Sequence, residues 1–208
     1  MKLHILLLLV TLPFWSIGQD DEYEDVPQGT FQAGLVVGAS VSQIDGDALA
    51  GYNKFGYQIG GRVSVRIKER WEPSVEILFT QKGSRSSNIE SLDLGGSFNY
   101  SMNYVEIPVM MNYRDDGILF NAGLSYGRLV QVNEITIADV NDTELLEPLY
   151  RKNELALVGG FGYFLNKNFG LTIRYTQSLF SIADYEFGTP ITEPQVNRQL
   201  IFRGIYLF

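Results

Sequence analysis

The stretch "FGYQIGGRVSVRIK", residues 55–68, places Phe55, Tyr57, Ile59, Val63, Val65 and Ile67 on one side of an extended chain and Gln58, Arg62, Ser64, Arg66 and Lys68 on the other. A period of two marks a β-strand with two unlike faces. In a soluble sheet the apolar face is the hidden one and the charged face meets water. In a membrane barrel the assignment inverts: the apolar face meets lipid, and the arginines are the buried residues.

The same period holds from residue 31 to the end of the chain, in eight segments. The first, "FQAGLVVGASVSQ", sets Phe31, Ala33, Leu35, Val37, Ala39 and Val41 against Gln32, Gly34, Gly38, Ser40 and Ser42. Residues 55–68 form the second. The third, "WEPSVEILFTQK", sets Trp71, Val75, Ile77 and Phe79 against Glu72, Ser74, Glu76, Thr80 and Lys82. "YVEIPVMMNY", "ILFNAGLSYGRL", "LALVGGFGYFL", "FGLTIRYTQSL" and "QLIFRGIYLF" continue the pattern, each with an unbroken apolar face. Short turns follow the second, fourth and sixth segments, at "KERW", "YRDDG" and "LNKN". Long polar links follow the first, third, fifth and seventh, at "IDGDALAGYNK", "GSRSSNIESLDLGGSFN", "EITIADVNDTELLEPLYRKN" and "ADYEFGTPITEPQV". One end of the sheet is therefore trimmed and the other elaborated, the layout of periplasmic turns and external loops.

Strands of about ten residues match the span of a tilted strand across the hydrocarbon layer, where backbone groups are satisfied only if the sheet closes. Phe31, Trp71, Tyr113, Phe120, Tyr163, Phe169, Tyr206 and Phe208 fall on the apolar face near the trimmed end, as an interfacial girdle does. Phe55, Tyr57, Phe79, Tyr126 and Tyr175 form a looser girdle nearer the loops. The rival, a secreted barrel of lipocalin type, turns its apolar face inward. Its solvated surface would then be rich in Gly34, Gly38, Gly56, Gly60, Gly123, Gly127, Gly160 and Gly162, a poor choice for a surface in water. The expected fold is all-β, an eight-stranded antiparallel up-and-down transmembrane β-barrel over residues 31–208.

Residues 1–18 read as a signal peptide: Lys2, an apolar run too short to span a bilayer, then Ser16 and Gly18 ahead of a cleavage point. Residues 19–30, with Asp20, Asp21, Glu22, Glu24 and Asp25, read as an acidic flexible tail. The net charge of −8 argues against a nucleic-acid partner. There is no cysteine, and the single histidine, His4, lies in the leader. The mature chain thus lacks disulfides, thiol and imidazole catalysts and the usual zinc ligands. No enzyme activity, cofactor or metal is expected. Outer-membrane lipid and the barrel assembly machinery are the expected partners.

With the polar face inside, Arg62, Arg66, Glu76, Glu106, Arg174 and Arg203 point into a narrow lumen, where each charge must find a partner. Counting back from the "KERW" turn sets Glu76 opposite Ser64 and diagonal to Arg62 and Arg66. A packed polar plug is the favoured reading of this group, with a gated ion path as the alternative. Glu72, Glu76 and Glu106 are also weighed as an acid and base pair, but no cleft is legible around them. Asp45, Asp47, Asp139, Asp142 and Glu144 sit in exposed links without calcium-loop spacing and read as solvated acids. Asn141 and Glu144 are positioned to cap a short helix through "ELLEPLY". Tyr206 and Phe208, at the end of the last strand, are candidates for the signal by which barrels are handed to their assembly machine.

The stretches "GLVVGASVSQIDGD", "GYQIGGRVSVRIKERWEPSVEILFTQKGSR", "NYVEIPVMMNY" and "FNAGLSYGRLV" resemble the PorT-like outer-membrane β-barrel family of Bacteroidota. The resemblance runs from about residue 31 to residue 208, with "NYVEIP" and "QKG" its most specific pieces. Where the family often has "QPELLYSQ", this chain has "EPSVEILFTQ". Many relatives have no assigned activity, and one branch is required for the type IX secretion system. The resemblance therefore implies two roles: a structural or interaction barrel acting through its external loops, or an accessory of that secretion machine working with its proteins. A small ion-conducting pore and a lipid-modifying barrel enzyme are more distant alternatives.

Overall fold

A computed structural model describes residues 30–46, 51–85, 98–136, 150–183 and 194–208. The expected signal peptide, the expected acidic tail up to residue 29, Asp47, Asp139, Asn141, Asp142, Glu144 and all but the last residue of the helix expected through "ELLEPLY" lie outside the described residues. The strands are β1 (Phe31–Asp45), β2 (Lys54–Val65), β3 (Trp71–Arg85), β4 (Phe98–Asp115), β5 (Ile118–Thr136), β6 (Asn153–Phe164), β7 (Phe169–Ser178) and β8 (Val196–Leu207). Each pairs antiparallel with its sequence neighbour, and β8 returns to β1 from Gly34↔Leu207 to Asp45↔Val196, closing the barrel. No strand edge is left over to demand hydrogen bonds that lipid cannot supply.

The trimmed end is built by local turn chemistry. Asp116 and Gly117 join β4 to β5 with φ of 44° and 79°, the two positive values that a tight primed hairpin turn requires and that an Asp-Gly pair tolerates. Between β6 and β7, Asn166 Oδ1 accepts hydrogen bonds from the backbone N–H of Asn168 (2.9 Å) and Phe169 (2.7 Å). This side chain stands in for a backbone acceptor and reverses the chain. Between β2 and β3, Ile67 N–H bonds Trp71 O at 3.0 Å.

That last turn corrects the pairing expected for Glu76. The hairpin is tighter than the count from "KERW" allowed, so Glu76 lies opposite Arg62 and Ser64 opposite Ser74. A two-residue difference in register changes partners but leaves every side chain on its expected face, because the strand period is two.

Strand length is the second correction. β4 and β5 run to 18 and 19 residues rather than about ten. Their extra length forms a paired extension at the loop end, from Asn103↔Gln131 to Phe98↔Thr136. The register shifts there: Asn103 pairs with Gln131 while Tyr104 pairs with Leu129, leaving Val130 as the extra residue. Such a bulge moves inward positions from odd to even numbers, so Gly127 is buried below it and Val132 above it.

The two faces separate cleanly. Phe31, Phe120, Phe161 and Phe202 are among the outward, exposed residues. Arg62, Glu76, Lys82 and Arg174 are among the buried ones. The Trp71 and Tyr113 rings meet edge to face at 5.3 Å near the trimmed end, and Tyr57 stacks with Phe79 at 6.0 Å nearer the loops. Trp71 and Phe79 are separated by about 27 Å of strand at 3.3–3.4 Å per residue. A tilt of about 35–45° reduces this to roughly 20 Å, close to the apolar band of roughly 25 Å that such barrels present. Beyond it the outward residues become polar: Asp45 pairs with Arg198 at 2.8 Å, and Arg128 donates to Asn153 at 2.7 Å.

Glycine is concentrated on the inward face because the strands there approach too closely for a side chain. A Cβ placed on Gly60 would overlap the Ile77 carbonyl oxygen, whereas one on Gly61, its outward neighbour, meets nothing nearer than 3.9 Å. The fold thus predicts opposite outcomes for adjacent substitutions. Folded protein in detergent should migrate faster before boiling than after. Gly60→Ala should lower the stability of that fast form by about 1–3 kcal/mol, while Gly61→Ala should change it by less than about 0.5 kcal/mol. Equal effects in a thermal titration of the gel shift would contradict the close strand approach at Gly60.

Candidate functional site

Inside the barrel the polar side chains form two ionic clusters, both anchored on β3. In the first, Arg174 donates to Glu76 through both of its terminal nitrogens, at 2.7 and 3.1 Å, and Arg203 Nη2 donates to Glu76 Oε1 at 3.1 Å. Arg62 Nη1 lies 3.8 Å from the same carboxylate. Arg62 also donates from Nη2 to Glu72 Oε1 at 2.8 Å, and Arg114 Nη2 lies 3.2 Å from Glu72 Oε2. The cluster therefore ties β2, β3, β4, β7 and β8 together across the lumen. The forked Arg174 contact is the strong form of a carboxylate pair.

The second cluster lies toward the loops. Lys82 Nζ stands 2.6 Å from Glu106 and 3.1 Å from Glu154, joining β3 to β4 and β6. Thr80 Oγ1 donates to Glu106 at 2.7 Å, and Asn197 Nδ2 donates to Glu154 at 3.4 Å. Lys82 also sits 5.0 Å from the centre of the Tyr104 ring. These donors and acceptors come from inward positions on β3, β4, β6 and β8, so the register between those strands sets the geometry.

Apolar residues share this interior in two buried clusters. At the trimmed half, Val36, Leu78, Leu119, Phe164, Ile205 and Leu207 pack into one buried cluster. The Arg114 guanidinium lies 4.0 Å from the centre of the Phe164 ring, joining the first ionic cluster to that apolar one. At the loop half, Ile44, Met102, Tyr104, Val132 and Ile182 form a second cluster, with Leu129 and Tyr150 packed against it.

Of the six expected interior residues, Arg62, Glu76, Arg174 and Arg203 share the first cluster, and Glu106 belongs to the second. Arg66 is buried just beyond β2. Lys82, Arg114 and Glu154 were missed as participants, although parity with Glu76, Glu106 and Ala156 marks all three as inward. Glu72, Glu76 and Glu106 are each buried and ion-paired with a cation. Asp45 is engaged by Arg198 at the loop rim. Among the described residues, no group of three acidic, histidine or cysteine side chains gathers around a common point. Tyr206 and Phe208 face outward with their rings edge to face at 5.7 Å, and Phe208 N–H bonds Ala33 O at 2.9 Å.

The model of the outer membrane protein beta-barrel domain family matches residues 18–184. Among solved structures, the attachment invasion locus protein Ail of Yersinia pestis aligns at 14% identity with a TM-score of 0.49, over 88% of this chain and 100% of that one. Neisserial surface protein A aligns at 10% identity and a TM-score of 0.48, over 86% and 97%. The outer membrane protein OprG of Pseudomonas aeruginosa aligns at 13% identity and a TM-score of 0.39, over 87% and 96%. No curated protein matches the chain.

The network predicts a stability asymmetry. Glu76→Ala leaves three guanidinium groups without their shared anion and should lower unfolding stability in lipid vesicles by about 3–5 kcal/mol. Glu69→Ala, in the exposed turn, should cost less than about 0.5 kcal/mol. Denaturant titrations that give equal losses would contradict the central place of Glu76.

Proposed function

Because the chain belongs to the outer membrane protein beta-barrel domain family, we propose that it is an outer-membrane barrel with a sealed lumen, acting as a structural or interaction protein through its external loops. The observation that supports this reading is the filling of the interior: two ionic clusters that cross the lumen and two buried apolar clusters packed among and beside them. An eight-stranded barrel has room inside for side chains and little else, and here long charged side chains among inward glycines and serines pair across it. The carboxylates are already engaged, which supports a non-enzymatic role. On this reading the chain is exported by a signal peptide over residues 1–18 and handed to the barrel assembly machinery through Tyr206 and Phe208. The surface free to vary is then the set of long links at one end.

A second reading, as an accessory of the type IX secretion system, is favoured by the resemblance of "NYVEIP" and "QKG" to PorT-like proteins. The two readings separate in the native host. If the loops work alone, deletion of the gene leaves the secreted protein pool unchanged. If the barrel serves secretion, many cargo proteins accumulate in the periplasm. The sealed lumen is tested apart from that choice: in planar bilayers the folded protein should show no discrete conductance steps. A stable stepwise current from the intact chain would overturn the closed interior and favour a pore.

A further inference from the structure

The first ionic cluster is not balanced. It sets four guanidinium groups, from Arg62, Arg114, Arg174 and Arg203, against two carboxylates, from Glu72 and Glu76. All four arginines are buried, and a guanidinium does not shed its proton inside a protein. A surplus of positive charge therefore remains in this part of the lumen. The second cluster carries the opposite surplus, but its carboxylates are engaged where they stand. Glu106 is held by Lys82, Thr80 and Gln58, and Glu154 by Lys82, Ser178 and Asn197.

The surplus also shows as buried donors that lack an acceptor. Arg203 spends Nη2 on Glu76, and its Nε and Nη1 find no acceptor among the described residues. Arg62 spends Nη2 on Glu72; its Nε is likewise unmet, and its Nη1 stands 3.8 Å from Glu76, too far for a hydrogen bond. β1 lies between the strands that carry these two arginines and supplies no side-chain acceptor beside them. Gly34 is paired with Arg62, Gly38 with Arg203, and the inward residue between the two glycines is Val36. Water satisfies such donors and leaves the charge; an anion answers both.

We infer that a small monovalent inorganic anion of chloride size binds in the lumen against the unmet donors of Arg62 and Arg203. So narrow a barrel has space for side chains and little else, which selects a single-atom ion over phosphate or an organic acid. The weakly hydrated guanidinium group suits a buried ion pair of this kind. The inference rests on the sealed lumen proposed above and deepens it: the ion is part of the folded barrel and not a permeating species.

The test follows unfolding of the full chain in lipid vesicles at constant ionic strength, with chloride exchanged for gluconate, which is too large for the lumen. Raising chloride from about 1 mM to about 100 mM should favour the folded form about tenfold, as a ligand that binds only the folded state does. Bromide should act in its place. Arg203→Gln removes one surplus charge and two of the donors, and should flatten the response. Asn121→Asp should flatten it as well with little change in side-chain volume. The Asn121 Oδ1 leans over Gly160, whose partner on β7 is Arg174, so a carboxylate there answers the surplus in the anion's stead. Crystals grown in bromide should show an anomalous peak within hydrogen-bonding reach of both Arg62 and Arg203. A folding equilibrium indifferent to chloride would overturn the inference, as would a response that survives either substitution in a folded variant. Bromide found at surface cations alone, an adventitious ion only, would do the same. Current in planar bilayers reads the seal separately, so a non-conducting barrel without a chloride response refutes the anion site and leaves the sealed lumen standing.

Discussion

A peptide group in hydrocarbon has no water to bond, and this constraint organises the rest of the molecule. The sheet must close on itself, as β8 does on β1. With eight strands the closed sheet is narrow, so long inward side chains reach partners across the lumen. Buried charge is then tolerable only beside opposite charge. Glu76 meets this demand by accepting from Arg174 and Arg203, with Arg62 close by. Glycine meets the complementary demand at Gly60, where a neighbouring backbone occupies the space a side chain would need.

The interior is consequently filled with side chains rather than an open bore. Two buried apolar clusters fill part of it, and the two ionic clusters tie non-adjacent strands that share no backbone ladder, such as β3 with β7 through Glu76 and Arg174. Hydrogen bonds along the sheet fix which strands are neighbours; the ionic groups brace strands that face each other across the barrel. A wall braced in this way is a firm base for variable links at one end, and that is the physical content of assigning function to the loops.

Much of this was readable from the chain because one barrel face must be apolar throughout, so a single period of two persists from Phe31 to Phe208. The count of strands, their order and the side on which each of Arg62, Glu76, Glu106, Arg174 and Arg203 lies all follow from that period. What was not readable depended on departures from it. The bulge at Val130 reverses the inward phase and hid the extension of β4 and β5. The compact turn before Trp71 moved Glu76 from Ser64 to Arg62. Contacts across the lumen, such as Lys82 with Glu154, join residues far apart in sequence, and no local pattern states which inward positions will meet.

The central claim is that the Glu76 cluster acts as a cross-lumen brace and not as a set of independent buried groups. A double-mutant cycle on Glu76→Gln and Arg174→Gln, measured by unfolding in lipid vesicles, tests it most directly. The account predicts a coupling energy of roughly 1.5–3 kcal/mol, at the upper end for residues in contact. Additive losses, with a coupling near zero, would mean that the two side chains stabilise the barrel separately and would contradict it.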